Sequence, residues 1–206
     1  MVELTPEEAR VVGALAEKEL ATPQYYPLTL NALVNACNQT SNRDPVVSYD
    51  EATVAGALAS LRDRGLARIV HSVHNRAAKY RHVLHEVHGL ETPELALLCV
   101  LLLRGPQTVG ELRARTERLA EFADVSVVEA ALEALASRDE PLVARLERQP
   151  GQKEARYRTT LVLWAEPGPI APVSAPRTQG GDEIAALREE VAALREEVEE
   201  LRRLVE

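Results

Sequence analysis

One order of helices and strands is predicted twice along this chain of 206 residues, and it constrains the fold more than any other feature. In the first copy, Thr5-Pro6 opens a helix, a second helix covers Leu28–Cys37, and Ser48 caps a third. Two strands follow, over Leu66–Val70 and Lys79–Leu84. The first copy therefore consists of three helices followed by a hairpin.

The second copy repeats this order. Its helices run from Thr92 through Leu103, over Thr108–Glu117 and from a cap at Ser126, and its strands cover Leu142–Leu146 and Tyr157–Leu163. In both copies the capping serine has a glutamate three residues later, the pattern of a capping box. Three helices and a hairpin are typical of a winged helix, a helix-turn-helix with a β-hairpin as its wing. We predict a mainly α fold with small β-hairpins, in which winged-helix domains cover residues 1–88 and 89–165.

Residues 182–206 carry the clearest periodicity of the chain. Their apolar residues are spaced alternately three and four apart, as in a heptad repeat: Ile184, Leu187, Val191, Leu194, Val198, Leu201 and Val205. β-branched residues alternating with leucine favour two parallel strands. We predict that these seven residues form the seam of a coiled-coil homodimer; a single solvated helix, or one packed back on the body, is the alternative. Residues 166–181 form a Pro/Gly-rich linker.

The composition narrows the class of protein. Hydrophobic residues make up 46% of the chain and aromatic residues only 3%, so the core is expected to consist of Leu, Val and Ala, which favours helices. The longest apolar run, Leu95–Leu103, is about half as long as a membrane span. The first residues have neither the basic start nor the apolar stretch of a signal peptide. We therefore predict a cytoplasmic protein without a membrane partner.

The sequence contains no motif of a known catalytic centre, such as a phosphate-binding glycine loop, a nucleophile elbow or HExxH. Cys37 and Cys99 lie in apolar helical stretches and are expected to be core residues. His82, His85 and His88 repeat every three residues. In a strand, His82 and His85 would point to opposite faces, whereas in a helix they could share an ion. Because no carboxylate or cysteine has zinc-ligand spacing, we predict no metal site. Because the motifs of known catalytic centres are absent from the sequence, we also predict no cofactor and no enzymatic activity.

Charge is unevenly distributed along the chain, whose net charge is −8. Residues 166–206 carry five basic and ten acidic side chains, whereas residues 62–81 carry six basic and one acidic. A dedicated DNA-binding domain is usually more basic than this chain. If the first copy binds DNA as a winged helix, its third helix would enter the major groove by the N-terminal end of that helix. Its wing would then contact the DNA backbone or the minor groove. Eight residues at these places are the candidate contacts to double-stranded DNA: Asn42, Arg43, Tyr49, Thr53, Asn75, Arg76, Lys79 and Arg81.

A second function class fits the same architecture. The third helix of the first copy begins with the acidic pair Asp50 and Glu51, and that of the second copy begins with the apolar pair Val127 and Val128. Acidic groups repel phosphate, and apolar groups at a helix surface suit packing against protein. The alternative hypothesis is therefore a protein-interaction scaffold that uses winged-helix surfaces and does not bind DNA.

Four segments carry a resemblance to a known family. They are Thr22–Asn31 (TPQYYPLTLN), Ala36–Val46 (ACNQTSNRDPV), Asn75-Arg76 with Lys79-Tyr80, and Leu101–Arg113 (LLLRGPQTVGELR). Together they resemble the YceH family of bacterial proteins over about residues 4–163. The resemblance implies tandem winged-helix domains and no known activity. The chain departs from the family pattern at Ser72-Val73-His74, where an aromatic and glycine turn is usual, so the wing is expected to differ in shape.

Overall fold

The computed structural model describes residues 3–70, 77–148, 151 and 154–162. All of them belong to the first of two units into which the chain divides, Met1–Trp164. The second unit, Ala165–Glu206, lies outside the described residues, and with it the predicted linker, coiled coil and seam residues from Ile184 to Val205. The candidate wing residues Asn75 and Arg76 also lie outside them.

The described chain is mainly helical with small antiparallel sheets, which confirms the predicted class at this level. The helices are α1 (Pro6–Ala21), α2 (Leu30–Cys37), α3 (Glu51–Asp63), α4 (Leu84–His88), α5 (Thr92–Arg104), α6 (Val109–Thr116) and α7 (Val125–Ala136). The strands are β1 (Leu28–Thr29), β2 (Ala67–Val70), β3 (Lys79–His82), β4 (Val143–Arg145) and β5 (Tyr157–Thr159). None of the described helices combines the length and the apolar character that crossing a membrane requires.

The two copies place their strands in the same way. In the first, β3 is the central strand of a three-stranded antiparallel sheet, β1–β3–β2, with Thr29 opposite Lys79 and Ala67 opposite His82. In the second, β4 pairs with β5, and Gln107 forms an isolated antiparallel bridge to Tyr157. Gln107 precedes α6 as β1 precedes α2. Both copies therefore run helix, short extended segment, helix, helix and hairpin.

Helix starts follow the predicted capping rules in part. Thr5 caps α1, as predicted, and it also forms a reciprocal capping box with Glu8. The predicted caps at Ser48 and Ser126 are wrong. Aspartates cap α3 and α7 instead: Asp50 accepts from the backbone N–H of Thr53 at 2.8 Å, and Asp124 from that of Val127 at 3.1 Å. A carboxylate within reach of the third amide of the helix satisfies it as well as a serine hydroxyl does.

Several predicted boundaries also differ, and the predicted strand over Tyr157–Leu163 ends at Thr159. Leu28 and Thr29 form β1 rather than the start of the second helix, because Thr29 caps α2 with a hydrogen bond from the N–H of Ala32. The predicted strand over Lys79–Leu84 stops at His82, and the chain turns into the short helix α4, which was not predicted. This turn determines where the histidines lie.

Residues of both copies contribute to one hydrophobic core. Every residue of Leu95–Leu103 is buried, as expected for a helix that is apolar on all sides. The axis of α1 approaches α5 closely at Gly13, where a Cβ atom would lie 3.0 Å from Cδ2 of Leu103 and 3.1 Å from Cβ of Leu102. The predicted boundary at residues 88 and 89 falls between α4 and α5.

Candidate nucleic-acid interface

The loop before α3 is fastened to the end of α2. The side-chain amide of Asn38 donates to the carbonyl of Tyr49 at 2.7 Å, and its oxygen accepts from the N–H of Tyr49 at 2.8 Å. Arg10 of α1 donates to the carbonyl of Cys37, at the end of α2, and to that of Pro45, within the loop. Side chains thus replace the backbone partners that the end of α2 lacks, and they fix the position at which α3 begins.

Arg43, a predicted DNA contact, lies inside this loop. Its side chain is fully buried, and its guanidinium donates to both carboxylate oxygens of Glu17, at 3.1 and 2.6 Å. It also donates to the carbonyls of Ala36 and Asn42 and to the side chain of Gln39. The guanidinium therefore caps the end of α2 and ties the loop to α1. The predicted surface position of Arg43 is therefore wrong, because its side chain lies in the interior.

Burial by itself would raise the pKa of Glu17, since a charged group loses hydration in the interior. The hydrogen bonds and charge of Arg43, with a smaller contribution from Lys18, outweigh burial and hold the pKa of Glu17 below its usual value. Glu17 is therefore ionised at neutral pH and forms a buried ion pair with Arg43.

Three other candidates lie near the start of α3. Asn42 is exposed, has a left-handed backbone with φ of 59°, and accepts a long hydrogen bond of 3.4 Å from Arg104. Tyr49 is half-buried against the core, and burial raises the pKa of its hydroxyl. Thr53 is half-buried in the first turn of α3. Asn42 and Thr53 are accessible to a ligand at this surface, whereas Tyr49 mainly supports it.

The basic side chains around the hairpin are mostly paired within the molecule. Arg81 donates to Glu86 of α4 at 2.5 Å, and Arg68 of β2 donates to the same carboxylate at 3.0 Å. Arg64 binds the buried carboxylate of Glu8 at 2.6 Å. Lys79, at the start of β3, has no ion-pair partner among residues 3–70 and 77–148. Of the predicted hairpin contacts that the structure describes, only Lys79 presents an uncompensated cation.

The outer face of α3 is built from small side chains. Ala52, Gly56 and Ala59 are exposed and lie one turn apart along this helix. A Cβ atom added at Gly56 would meet nothing within 4 Å, so internal packing does not require glycine at this position. A glycine in an exposed helix interior costs roughly 1 kcal/mol relative to alanine. The face therefore allows close approach of another molecule to the helix backbone.

A buried contact joins α1 to the histidines. The carboxylate of Glu19 contacts Nε2 of the fully buried His82, and the same oxygen lies 3.9 Å from Nδ1 of His85. One ligand atom from each of the three residues lies within 4.8 Å of the others. No carboxylate has zinc-ligand spacing to these histidines in the sequence, but the fold brings Glu19 beside them. No local pattern could reveal Glu19, because only the packing of α1 against β3 brings it there.

The hydrogen bonds of His82 indicate which of its ring nitrogens carries the proton. The backbone N–H of Leu84 donates to Nδ1 at 3.2 Å, so in the neutral ring the proton lies on Nε2 and faces Glu19. Although burial would raise the pKa of Glu19, the hydrogen bond from His82, together with the charge of Arg81, lowers it overall. We interpret the group as a buried hydrogen-bonded pair rather than as a set of metal ligands.

Both cysteines are buried, which confirms their predicted place in the core. Burial raises the pKa of the Cys37 thiol to about 12 and raises that of Cys99 further. Neither thiol is therefore ionised at neutral pH, as a reactive cysteine would have to be.

A model for a bacterial family described as a protein of unknown function, DUF480, matches residues 4–152. The chain belongs to the DUF480 family. A UPF0502 protein of Pelobacter propionicus is 53% identical to this DUF480 protein over 192 residues, which cover 88% of this chain and 85% of the relative. A UPF0502 protein of Opitutus terrae is 52% identical over 191 residues, covering 90% and 83%. A UPF0502 protein of Geobacter metallireducens is 55% identical over 179 residues, covering 86% and 76%. The resemblance is thus confirmed at the level of an uncharacterised bacterial family; the name YceH and the winged-helix architecture stay predictions.

Proposed function

We propose that this DUF480 protein is a tandem winged-helix protein that binds double-stranded DNA as a homodimer, without catalytic activity, and regulates transcription. The observation that carries the proposal is the repeated order of helix, extended segment, two helices and hairpin, with β3 between β1 and β2 in the first copy. In a helix-turn-helix this order presents the third helix to the major groove and the hairpin to the adjacent backbone.

The surface that supports the proposal consists of α3 and the base of the hairpin. The small outer side chains of α3 permit entry into a groove, and Lys79 is available for a phosphate. Asn42 and Thr53 flank the start of α3. Arg43 acts indirectly in this proposal, since it holds the loop from which α3 begins. Arg81 would have to exchange Glu86 for phosphate, so its contribution is smaller.

The test is binding of the purified full-length protein to genomic DNA fragments at two salt concentrations, followed by sequencing of the retained fragments. Enrichment of a few sites supports sequence-specific binding. Affinity for an enriched site should then fall steeply with salt, with a log–log slope of about −0.9 per neutralised phosphate, and Lys79→Ala should reduce that slope by about 1.

Two matched variants locate the contact. Ala52→Glu adds a carboxylate to the exposed first turn of α3, and Ala134→Glu makes the same change on the exposed surface of α7. We expect Ala52→Glu to abolish enrichment through phosphate repulsion and Ala134→Glu to leave it intact. Equal retention of sites by both variants, or no saturable binding at either salt concentration, would refute DNA binding through α3.

A protein-interaction scaffold is the second candidate. It is supported by the exposure of Val125 and Val127 at the start of α7, 41% and 43%, and by the ion pairs that neutralise most arginines near the hairpin. A protein partner held by apolar surface would bind with weak salt dependence. Binding of such a partner should be lost in Val127→Asp and kept in Ala52→Glu, the reverse of the pattern expected for DNA.

A further inference from the structure

A cleft of about 510 Å³ opens between the two copies within the first unit of the chain. The ends of α1 and α5, the loop after α2 and the helix α6 enclose it. This volume is typical of sites for small molecules, about 300–1,000 Å³. Val100, Leu103 and Leu119 give the cleft an apolar part, while Gln39, Ser41 and Asn42 supply neutral polar groups.

Basic side chains outnumber acidic ones in this lining. The cations are Lys18, Arg104, Arg115 and Arg118, and the carboxylates are Glu17 and Glu117. Glu17 is already neutralised, because both of its oxygens bind Arg43, a residue outside the lining. The cleft therefore has a positive surplus that favours an anion.

Arg104 is the cation of this lining that has a buried side-chain atom without a partner in the described part of the chain. Its Nε is buried and has no hydrogen-bond partner among the described residues, and its hydrogen bond to Asn42 is long at 3.4 Å. Burial lowers the pKa of Arg104, and the neighbouring charge of Arg115 lowers it further. Arg115 itself lies 3.8 Å from Glu111, which Arg156 holds more closely at 3.0 Å. Two guanidinium groups with incomplete partners thus line the same cleft.

The carbonyls at the end of α5 do not use these cations. The N–H groups of Gly105 and Asp44 donate to the carbonyls of Leu101 and Leu103, and the side chain of Gln107 donates to that of Arg104. Carbonyl groups at the C-terminal end of α5 therefore accept hydrogen bonds from donors other than the cations of the cleft. Arg104 and Arg115 therefore remain available to a ligand, whereas Lys18 is paired with Glu17.

We propose that this cleft binds a small organic phosphate, with the phosphate group between Arg104 and Arg115 and the remaining part against the apolar lining. Guanidinium groups suit this role because their planar N–H donors bind two phosphate oxygens at once. Residues of both copies line the cleft, so the ligand would join them.

The experiment is calorimetric titration of the full-length protein with adenosine monophosphate and, separately, with inorganic phosphate. The variants are Arg104→Gln and Arg115→Gln, and the matched control is Arg113→Gln, exposed on α6 and outside the cleft lining. We expect saturable binding of the nucleotide that weakens at least about tenfold in either variant, because each removes hydrogen bonds to a charged group. The control should stay within about twofold. Circular dichroism establishes that each variant is folded, and Arg115→Gln alone serves as the test if Arg104→Gln is not folded.

Equal affinity for the two probes would show that the phosphate group alone is recognised. If that affinity is also lost in both variants, the result supports a phosphate site between Arg104 and Arg115. Absence of binding, or affinity unchanged by either variant, overturns the proposal. Weaker DNA binding in the variants, without binding of either small probe, also overturns it and assigns the cleft to DNA. Because the titrations contain no DNA, their outcome is independent of the proposed function.

Discussion

Replacing Arg43 by methionine tests whether this residue is a structural element or a surface contact. Methionine retains most of the apolar volume and removes the guanidinium. The structure shows six hydrogen bonds from this group: two to Glu17, two to the carbonyl of Ala36 and one each to Asn42 and Gln39. All of them are lost in the variant.

The expected cost follows from what remains buried. Glu17 is 7% exposed and keeps only the ammonium of Lys18, at 3.3 Å and partly in solvent. Removing one partner of a buried ion pair costs about 3–5 kcal/mol. Because Lys18 remains as a partner, we expect the lower end, about 3 kcal/mol. For a chain of this size that corresponds to a fall in Tm of about 6–12 °C.

The assay is urea unfolding followed by circular dichroism, with a double-mutant cycle. Glu17→Gln combined with Arg43→Met removes both charges, so the double variant should be more stable than the sum of the single losses by about 1–3 kcal/mol. Arg62→Met, at an exposed position on α3, is the control and should stay within about 0.5 kcal/mol of the wild type. A loss below about 1 kcal/mol for Arg43→Met, or strict additivity with Glu17→Gln, would refute the buried-pair interpretation.

Four further variants test other parts of the structure. Gly56→Ala, on the exposed face of α3, should stabilise the protein by about 0.5–1 kcal/mol. Gly13→Ala should destabilise the protein by about 1 kcal/mol, because the added Cβ would crowd Leu103 of α5. The reverse order of stability in urea unfolding would contradict this helix packing. Burial and the charge of Arg138 hold the pKa of His88 below its ordinary value of 6.5, so stability should fall as pH drops below 6.5 through the folded-state pKa. His88→Gln should flatten that part of the Tm–pH profile, and an unchanged profile would contradict the assignment. Deletion of residues 182–206 should convert a dimer to a monomer in light scattering, and a dimeric truncated protein would show that another surface holds the subunits together.

The sequence predicted the elements whose causes are local. The cap at Thr5 and the burial of Leu95–Leu103 depend on residues three apart and on an unbroken apolar run, and the structure has both. The hairpin strands are also present, although β3 and β5 are shorter than predicted. Where two neighbouring residues could each cap a helix, the sequence pattern did not decide between them. Ser48 fits the capping rule, yet Asp50 satisfies the amide of Thr53 and starts α3.

The candidate site shows where local reasoning ends. Arg43 stands in a polar loop, which predicts exposure, but the packing of α1 against α2 brings Glu17, 26 positions away, against its guanidinium. Glu8 binds Arg64 across 56 positions, and Glu19 reaches His82 because α1 also packs against β3. Composition and periodicity thus determined a mainly helical chain with two copies of one order and a buried central helix. Tertiary structure alone decided which charges are paired and which remain free, because ion pairs form between groups that the core brings together regardless of their separation in the chain.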